Sequence, residues 1–123
     1  MYEYIIGFGF GELTGIELPG ETYGEMPKSI DEIRPLEFAT LSFGHGIATT
    51  PIQTISAVSA VVNGGKLYRP RIVKETLNSR GEVVQKIPIV EKRQVISENT
   101  STKMRNYMQR VIDDGIGIVQ IPG

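Results

Sequence analysis

Leu41-Ser-Phe-Gly-His-Gly-Ile-Ala-Thr-Thr-Pro-Ile-Gln-Thr54, and after it Asn63-Gly-Gly-Lys-Leu-Tyr-Arg-Pro70, frame the segment from which the rest of the chain is read. Thr50 is a good N-cap, Pro51 has the fixed φ suited to a first helical position, and Gln53 can reach back to complete a capping box. A helix over about 51–63 is therefore predicted. Its apolar stripe is Ile52, Ile55, Val58 and Val62, while Ser56, Ala57, Ser59 and Ala60 are small enough for close approach by another element. The spacing predicts a helix buried on most sides. Asn63-Gly64-Gly65 ends it, because glycine reaches the left-handed conformation of a helix stop without a Cβ penalty.

Downstream, Arg71 to Leu77 and Glu82 to Ile87 are β-rich and flank Asn78-Ser79-Arg80-Gly81, which suits a tight turn. A β-hairpin over about 71–87 follows. Ser97 is an N-cap candidate with Glu98 in the first turn, and Met104, Tyr107, Met108, Val111 and Ile112 make one amphipathic face. The second helix is thus predicted over about 98–112, its apolar face packed on a core. Asp113 and Asp114 stand where the helix dipole disfavours acids, and no physical reason for them is evident. Ile116 to Ile121 reads as extended. Upstream, Met1 to Ile6 reads as a short helix closed by Gly7, Gly9 and Gly11, and 14–35 as an ordered surface loop rich in Gly, Pro and acids. The fold class is α+β.

At 123 residues the chain is large enough to bury roughly two thirds of its unfolded surface if it closes on itself. Hydrophobic residues make up 40% and charged residues 22%, a globular balance. Thirteen basic against fourteen acidic residues leave a net charge of -1, so no nucleic-acid partner is expected. The absence of cysteine removes disulfides, thiolate metal sites and cysteine nucleophiles, and one histidine cannot build a histidine-rich zinc site. No metal and no cofactor are expected. The longest mostly apolar run, Ile52 to Val62, is too short to span a bilayer, and neither a signal peptide nor a membrane segment is evident.

Phe8-Gly-Phe-Gly11, Thr14-Gly-Ile-Glu-Leu-Pro-Gly-Glu21, Leu41 to Gln53, Asn63-Gly-Gly-Lys66 with Pro70, Val95-Ile-Ser-Glu98, Val111 to Gly117 and Ile121-Pro-Gly123 are individually weak signals. In this order they cover nearly the whole chain, which resembles the class B penicillin-binding proteins, the peptidoglycan D,D-transpeptidases. The resemblance implies that residues 1–123 are a partial transpeptidase domain of the penicillin-binding and β-lactamase-like fold. In that fold these helices pack on an antiparallel sheet and the hairpin lies at the periphery. It also implies parents that are extracytoplasmic and anchored to the bacterial cytoplasmic membrane, and that bind the peptidoglycan stem peptide and β-lactams.

The family's chemistry uses a serine and lysine in S-x-x-K, an S-x-N motif and a K-[ST]-G strand. The resemblance puts the first two upstream of Met1 and the third downstream of Gly123. Within the chain no serine has a lysine three positions later and no Lys-Thr-Gly or Lys-Ser-Gly occurs. Ser97-Glu98-Asn99 spells S-x-N, but Ser97 is better explained as a helix cap. No catalytic residue is therefore expected, and the chain alone is expected to be inactive.

His45, with Gly46 and Thr49, is the candidate for the rim of the active-site cleft, because the resemblance runs this loop beside it. The plainer expectation for His45 is a loop side chain hydrogen-bonded to nearby backbone, since no nucleophile is identifiable within reach to make it a base. The glycines at 7, 9, 11 and 15 invite a phosphate-loop reading that their acidic neighbours Glu12, Glu17 and Glu21 oppose. Glu21, Glu25, Asp31, Glu32 and Glu37 are read as a solvated face rather than as paired catalytic carboxylates. Faces left uncovered in this chain would drive self-association. Two alternatives stand beside this reading: a free-standing non-catalytic binding or oligomerisation module, which would melt in one sharp transition, and a residual β-lactam-binding or hydrolytic activity.

Overall fold

The computed structural model describes residues 1–27, 29 and 33–114. The elements are α1 (Tyr2–Gly7), α2 (Pro35–Leu41), α3 (Pro51–Val62), β1 (Lys66–Tyr68), β2 (Glu75–Leu77), β3 (Val83–Lys86), β4 (Glu91–Gln94) and α4 (Glu98–Asp113). The fold class is α+β. Both main helices and the hairpin form where expected, within a residue for the helices and with shorter strands for the hairpin. The extended segment expected over 116–121 lies outside the described residues.

Helix α3 starts as its sequence dictates. The Gln53 amide donates to Thr50 Oγ1 at 3.2 Å, the Thr50 amide donates to Gln53 Oε1 at 2.9 Å, and Pro51 takes the first position. At the far end Gly65 has φ +93° and its amide donates to the Ala60 carbonyl at 2.9 Å, closing the helix stop. Helix α4 opens on Ser97, whose Oγ accepts from the Thr100 amide at 3.1 Å.

Two small antiparallel sheets fill the interval. β2 and β3 form the hairpin with Glu75 opposite Lys86 and Leu77 opposite Val83. Its turn is held by Asn78, whose Oδ1 accepts from the amides of Arg80 at 2.9 Å and Glu82 at 3.0 Å. The second pair, β1 with β4, has Lys66 opposite Gln94 and Leu67 opposite Arg93. It was not anticipated, because Glu91-Lys-Arg-Gln94 has no apolar alternation and only Leu67 is buried in either strand. What makes it a strand is remote. Arg93 Nε donates to the Gly7 carbonyl at 2.8 Å and Lys92 Nζ donates to the Leu13 carbonyl at 3.2 Å, tying β4 to the end of α1 and the loop that follows it.

The buried apolar side chains among the described residues are Leu41, Ala57, Ala60 and Leu67. This corrects two expectations. Helix α3 is not buried on most sides: it packs through Gln53, Ala57 and Ala60 against β1 and α4, leaving Ile55 and Val58 exposed. Helix α4 buries only Ser101, with Arg105 Nη1 also donating to the Val62 carbonyl at 3.4 Å, and Met104, Tyr107, Met108, Val111 and Ile112 are all exposed, Val111 by 65%. The periodicity correctly marks the apolar faces. Nothing among the described residues covers them, so the described residues do not by themselves close into the core that the chain's length allows.

Short α2 is a further element that the sequence reading does not contain, beginning at Pro35 where the stretch read as loop ends. Pro35 occupies its first position, and Glu37 folds back to accept from the Arg34 amide at 3.0 Å and from Arg34 Nε at 3.0 Å.

Candidate functional site

The 44–49 loop is built by the end of α2. The Gly44 amide donates to the Leu41 carbonyl at 3.1 Å and the His45 amide donates to the Thr40 carbonyl at 3.1 Å, so the chain wraps tightly around the helix terminus. Gly44 at φ +87° and Gly46 at φ +85° take the left-handed turns on either side of His45. The imidazole is exposed and meets Phe43 edge to face, ring centres 5.6 Å apart. Among the described residues no hydrogen bond joins the ring to a serine or carboxylate, nor to the nearby backbone that was expected to hold it.

His45 and Gly46 line an open groove of about 280 Å³ with Glu25, Met26, Ile33 and Leu41. Thr49 is not brought into it. Its hydroxyl lies 3.2 Å from that of Thr54, over the first turn of α3. Glu25, which lines the groove, is joined to Ala48 by a two-residue bridge in which the Glu25 amide donates to the Ala48 carbonyl at 2.8 Å and the Ala48 amide donates to the Glu25 carbonyl at 2.9 Å.

Behind this loop sits a residue whose role the sequence hides. Gln53 is 1% exposed, and besides its cap its Nε2 donates to the carbonyls of Glu12 and Tyr23, both at 2.9 Å. Its neighbours supply the charge. Glu12 receives Lys92 Nζ at 2.9 Å and Arg93 Nη2 at 2.6 Å, and although burial raises its carboxyl, these two cations outweigh that and leave the pKa lowered. Glu21 accepts from the Thr14 hydroxyl and from the amides of Thr14 at 2.6 Å and Gly15 at 3.1 Å, and here too burial is outweighed and the pKa lowered. The Glu21 carboxylate holds loop backbone in place, and that of Glu12 holds the two cations of β4. Neither is poised for proton transfer.

Among the described residues the serines offer no nucleophile constellation. Ser97 Oγ is occupied as the α4 cap, 2.9 Å from Thr100 Oγ1, and Ser101 is fully buried with its hydroxyl donating to the Val61 carbonyl at 2.6 Å. Among the described residues no three His, Asp or Glu side chains gather as metal ligands.

Comparison with known proteins agrees with this architecture. The sequence profile of the family described as the penicillin binding protein transpeptidase domain matches residues 1–122. Stage V sporulation protein D of Bacillus subtilis (strain 168) is 44% identical over 118 residues, covering 95% of this chain and 18% of that protein. Penicillin-binding protein PbpB of Mycobacterium tuberculosis is 32% identical over 123 residues, covering 99% of this chain and 18% of that protein. The chain thus spans about a fifth of the length of the curated relatives it matches. Among solved structures, penicillin-binding protein 3 from Mycobacterium tuberculosis superposes with a TM-score of 0.81 at 32% identity, over 90% of this chain and 24% of the other. It has been crystallised in complex with aztreonam and with ampicillin. Penicillin-binding protein 2B from Streptococcus pneumoniae (strain 5204) gives 0.75 at 30% identity, over 89% and 18% of the two chains. With a match that runs from end to end and a fold shared at that level, this chain belongs to the transpeptidase-domain family of the class B penicillin-binding proteins and represents part of such a domain.

Proposed function

We propose that residues 1–123 supply scaffold and cleft-rim elements of a peptidoglycan D,D-transpeptidase domain, and contain none of the atoms that bond to its substrate. The observation that carries this is the fate of Ser97. It is the one serine in a motif of the family's catalytic type, and its hydroxyl is spent on the helix cap. In this reading His45 and Gly46, with Thr49 behind them, shape entry to the cleft. The partners are those of the whole protein, a peptidoglycan stem peptide and β-lactams, and the complexes of a relative with aztreonam and ampicillin favour it. The whole protein would work outside the cytoplasm, anchored to the membrane by another segment, since no described helix is long and apolar enough to cross one.

A fluorescent penicillin tests the assignment directly. The 123-residue chain remains unlabelled, whereas the complete protein containing it acquires a covalent adduct on a serine outside these positions. An adduct on any serine here would sink the reading.

The alternative, a free-standing binding or oligomerisation module, sits badly with the apolar faces of α3 and α4. Tyr107 is 59% exposed and Ile55 56%, surfaces that the rest of a transpeptidase domain would cover. By the same argument the chain on its own self-associates through these faces. Sedimentation velocity then gives a weight that grows with concentration; a monomer at every concentration would count against it.

A further inference from the structure

Gln53 reaches well beyond the helix it caps. Its carboxamide joins α3 to two loop carbonyls distant in sequence, those of Glu12 and Tyr23. Directly after Tyr23 the chain passes through Gly24 at φ +73°, where a Cβ would lie 2.2 Å from the Ala48 carbonyl oxygen and 3.4 Å from Gln53 Oε1. The next residue, Glu25, makes both bonds of the bridge to Ala48. A continuous path therefore runs from a buried amide to the loop that carries His45. Each step is a hydrogen bond, a covalent link or a contact that tolerates no side chain.

We propose that Gln53 is a positioning residue for the cleft rim: by holding the Tyr23 carbonyl it sets the Gly24–Glu25 strip, which clasps Ala48 and fixes the His45–Gly46 turn. This rests on the transpeptidase reading of the preceding subsection. The chemical logic favours an amide at this point. Only a neutral side chain with two N–H donors and an acceptor serves the Glu12 and Tyr23 carbonyls and the Thr50 amide together. Glutamate would place a carboxylate against two carbonyl oxygens, and methionine would fill the volume without any bond. Because buried polar groups cost so much when unpaired, the bonds are either all made or the strip moves.

The experiment uses the complete transpeptidase that contains these residues, with Gln53→Met and Gly24→Ala, two changes that break the path at different points. Hydrogen exchange is read over 23–27 and 44–49, with 97–104 at the far end of the fold as reference. Acylation by a fluorescent penicillin is followed against its concentration. Both variants are expected to exchange about tenfold faster or more at the two loop segments and to leave 97–104 unchanged. They should also raise the penicillin concentration needed for half-maximal acylation rate several-fold, with little change in the maximal rate. Exchange that is unaltered at 44–49, or that rises equally at 97–104, overturns the proposal. So does faster loop exchange with unaltered acylation. If the loop responds as expected while the unmutated protein takes up no penicillin, the coupling stands and the transpeptidase reading falls. Should Gln53→Met not accumulate, Gly24→Ala, confined to a surface loop, decides the question alone.

Discussion

Gly65→Ala is expected to destabilise the fold by about 3 kcal/mol or more, read as a drop in the urea midpoint with an unchanged slope. Two costs add at this position. The backbone sits at φ +93°, where an L side chain loses about 1–2 kcal/mol. In addition, a Cβ would stand 1.9 Å from the Ile96 carbonyl oxygen and 2.7 Å from Gln94 Nε2. The first neighbour is backbone and cannot rotate away. Its position is set by the Val95 amide, which donates to the Gly65 carbonyl at 2.7 Å, so relieving the clash pulls β4 off the end of α3. Gly64 is the internal control. It has φ +99° but no atom within 4 Å of a built Cβ, so Gly64→Ala carries the same conformational cost of about 1–2 kcal/mol and little else. Equal losses in the two variants would show that backbone conformation, and not the approach of Ile96, makes glycine necessary at 65.

That contrast also marks where sequence is informative. Thr50-Pro51-Ile52-Gln53 and Ser97-Glu98 announce their helices because a cap is satisfied by residues three positions away, and Asn78 to Gly81 announce their turn for the same reason. The β1–β4 pair brings together residues on either side of the hairpin, and its strands are stabilised by Arg93 and Lys92 reaching back to the end of α1 and the loop that follows it, which no local pattern encodes. Periodicity identified the apolar faces of α3 and α4 but says nothing of whether a neighbour covers them. At the candidate site the Gly44-His45-Gly46 turn was legible as a loop. That Thr49 turns away toward Thr54, and that Gln53 reaches Glu12 and Tyr23, depends on contacts remote along the chain. Gln53 was read for its cap alone. A polar residue on the packed side of a small-residue helix, beside Ala57 and Ala60, was the available signal of a buried hub.

The second large effect is expected on the opposite side of the same joint. Ser101 is 0% exposed, donates to the Val61 carbonyl at 2.6 Å and accepts from the Gly64 amide at 3.0 Å. The last turn of a helix leaves carbonyls without partners, and here α4 supplies one from a side chain, joining the helices through a buried polar contact. Ser101→Leu removes both bonds and forces added bulk between α3 and α4, so the lost pairing and the overpacking together cost about 3–5 kcal/mol. Ser101→Ala separates the two contributions: it removes only the bonds and costs about 1–3 kcal/mol. A Ser101→Leu midpoint equal to that of Ser101→Ala would mean that the joint opens to admit the side chain, and that α4 is held elsewhere. Because Ser101 binds Gly64 while Ile96 presses on Gly65, the two glycines form one turn gripped from both sides. Once either grip is lost the turn is free to move, so Gly65→Ala combined with Ser101→Ala should cost less than the sum of the single changes. Strict additivity would make them two independent supports, and the approach of α4 to α3 would then owe nothing to the strand that follows the turn.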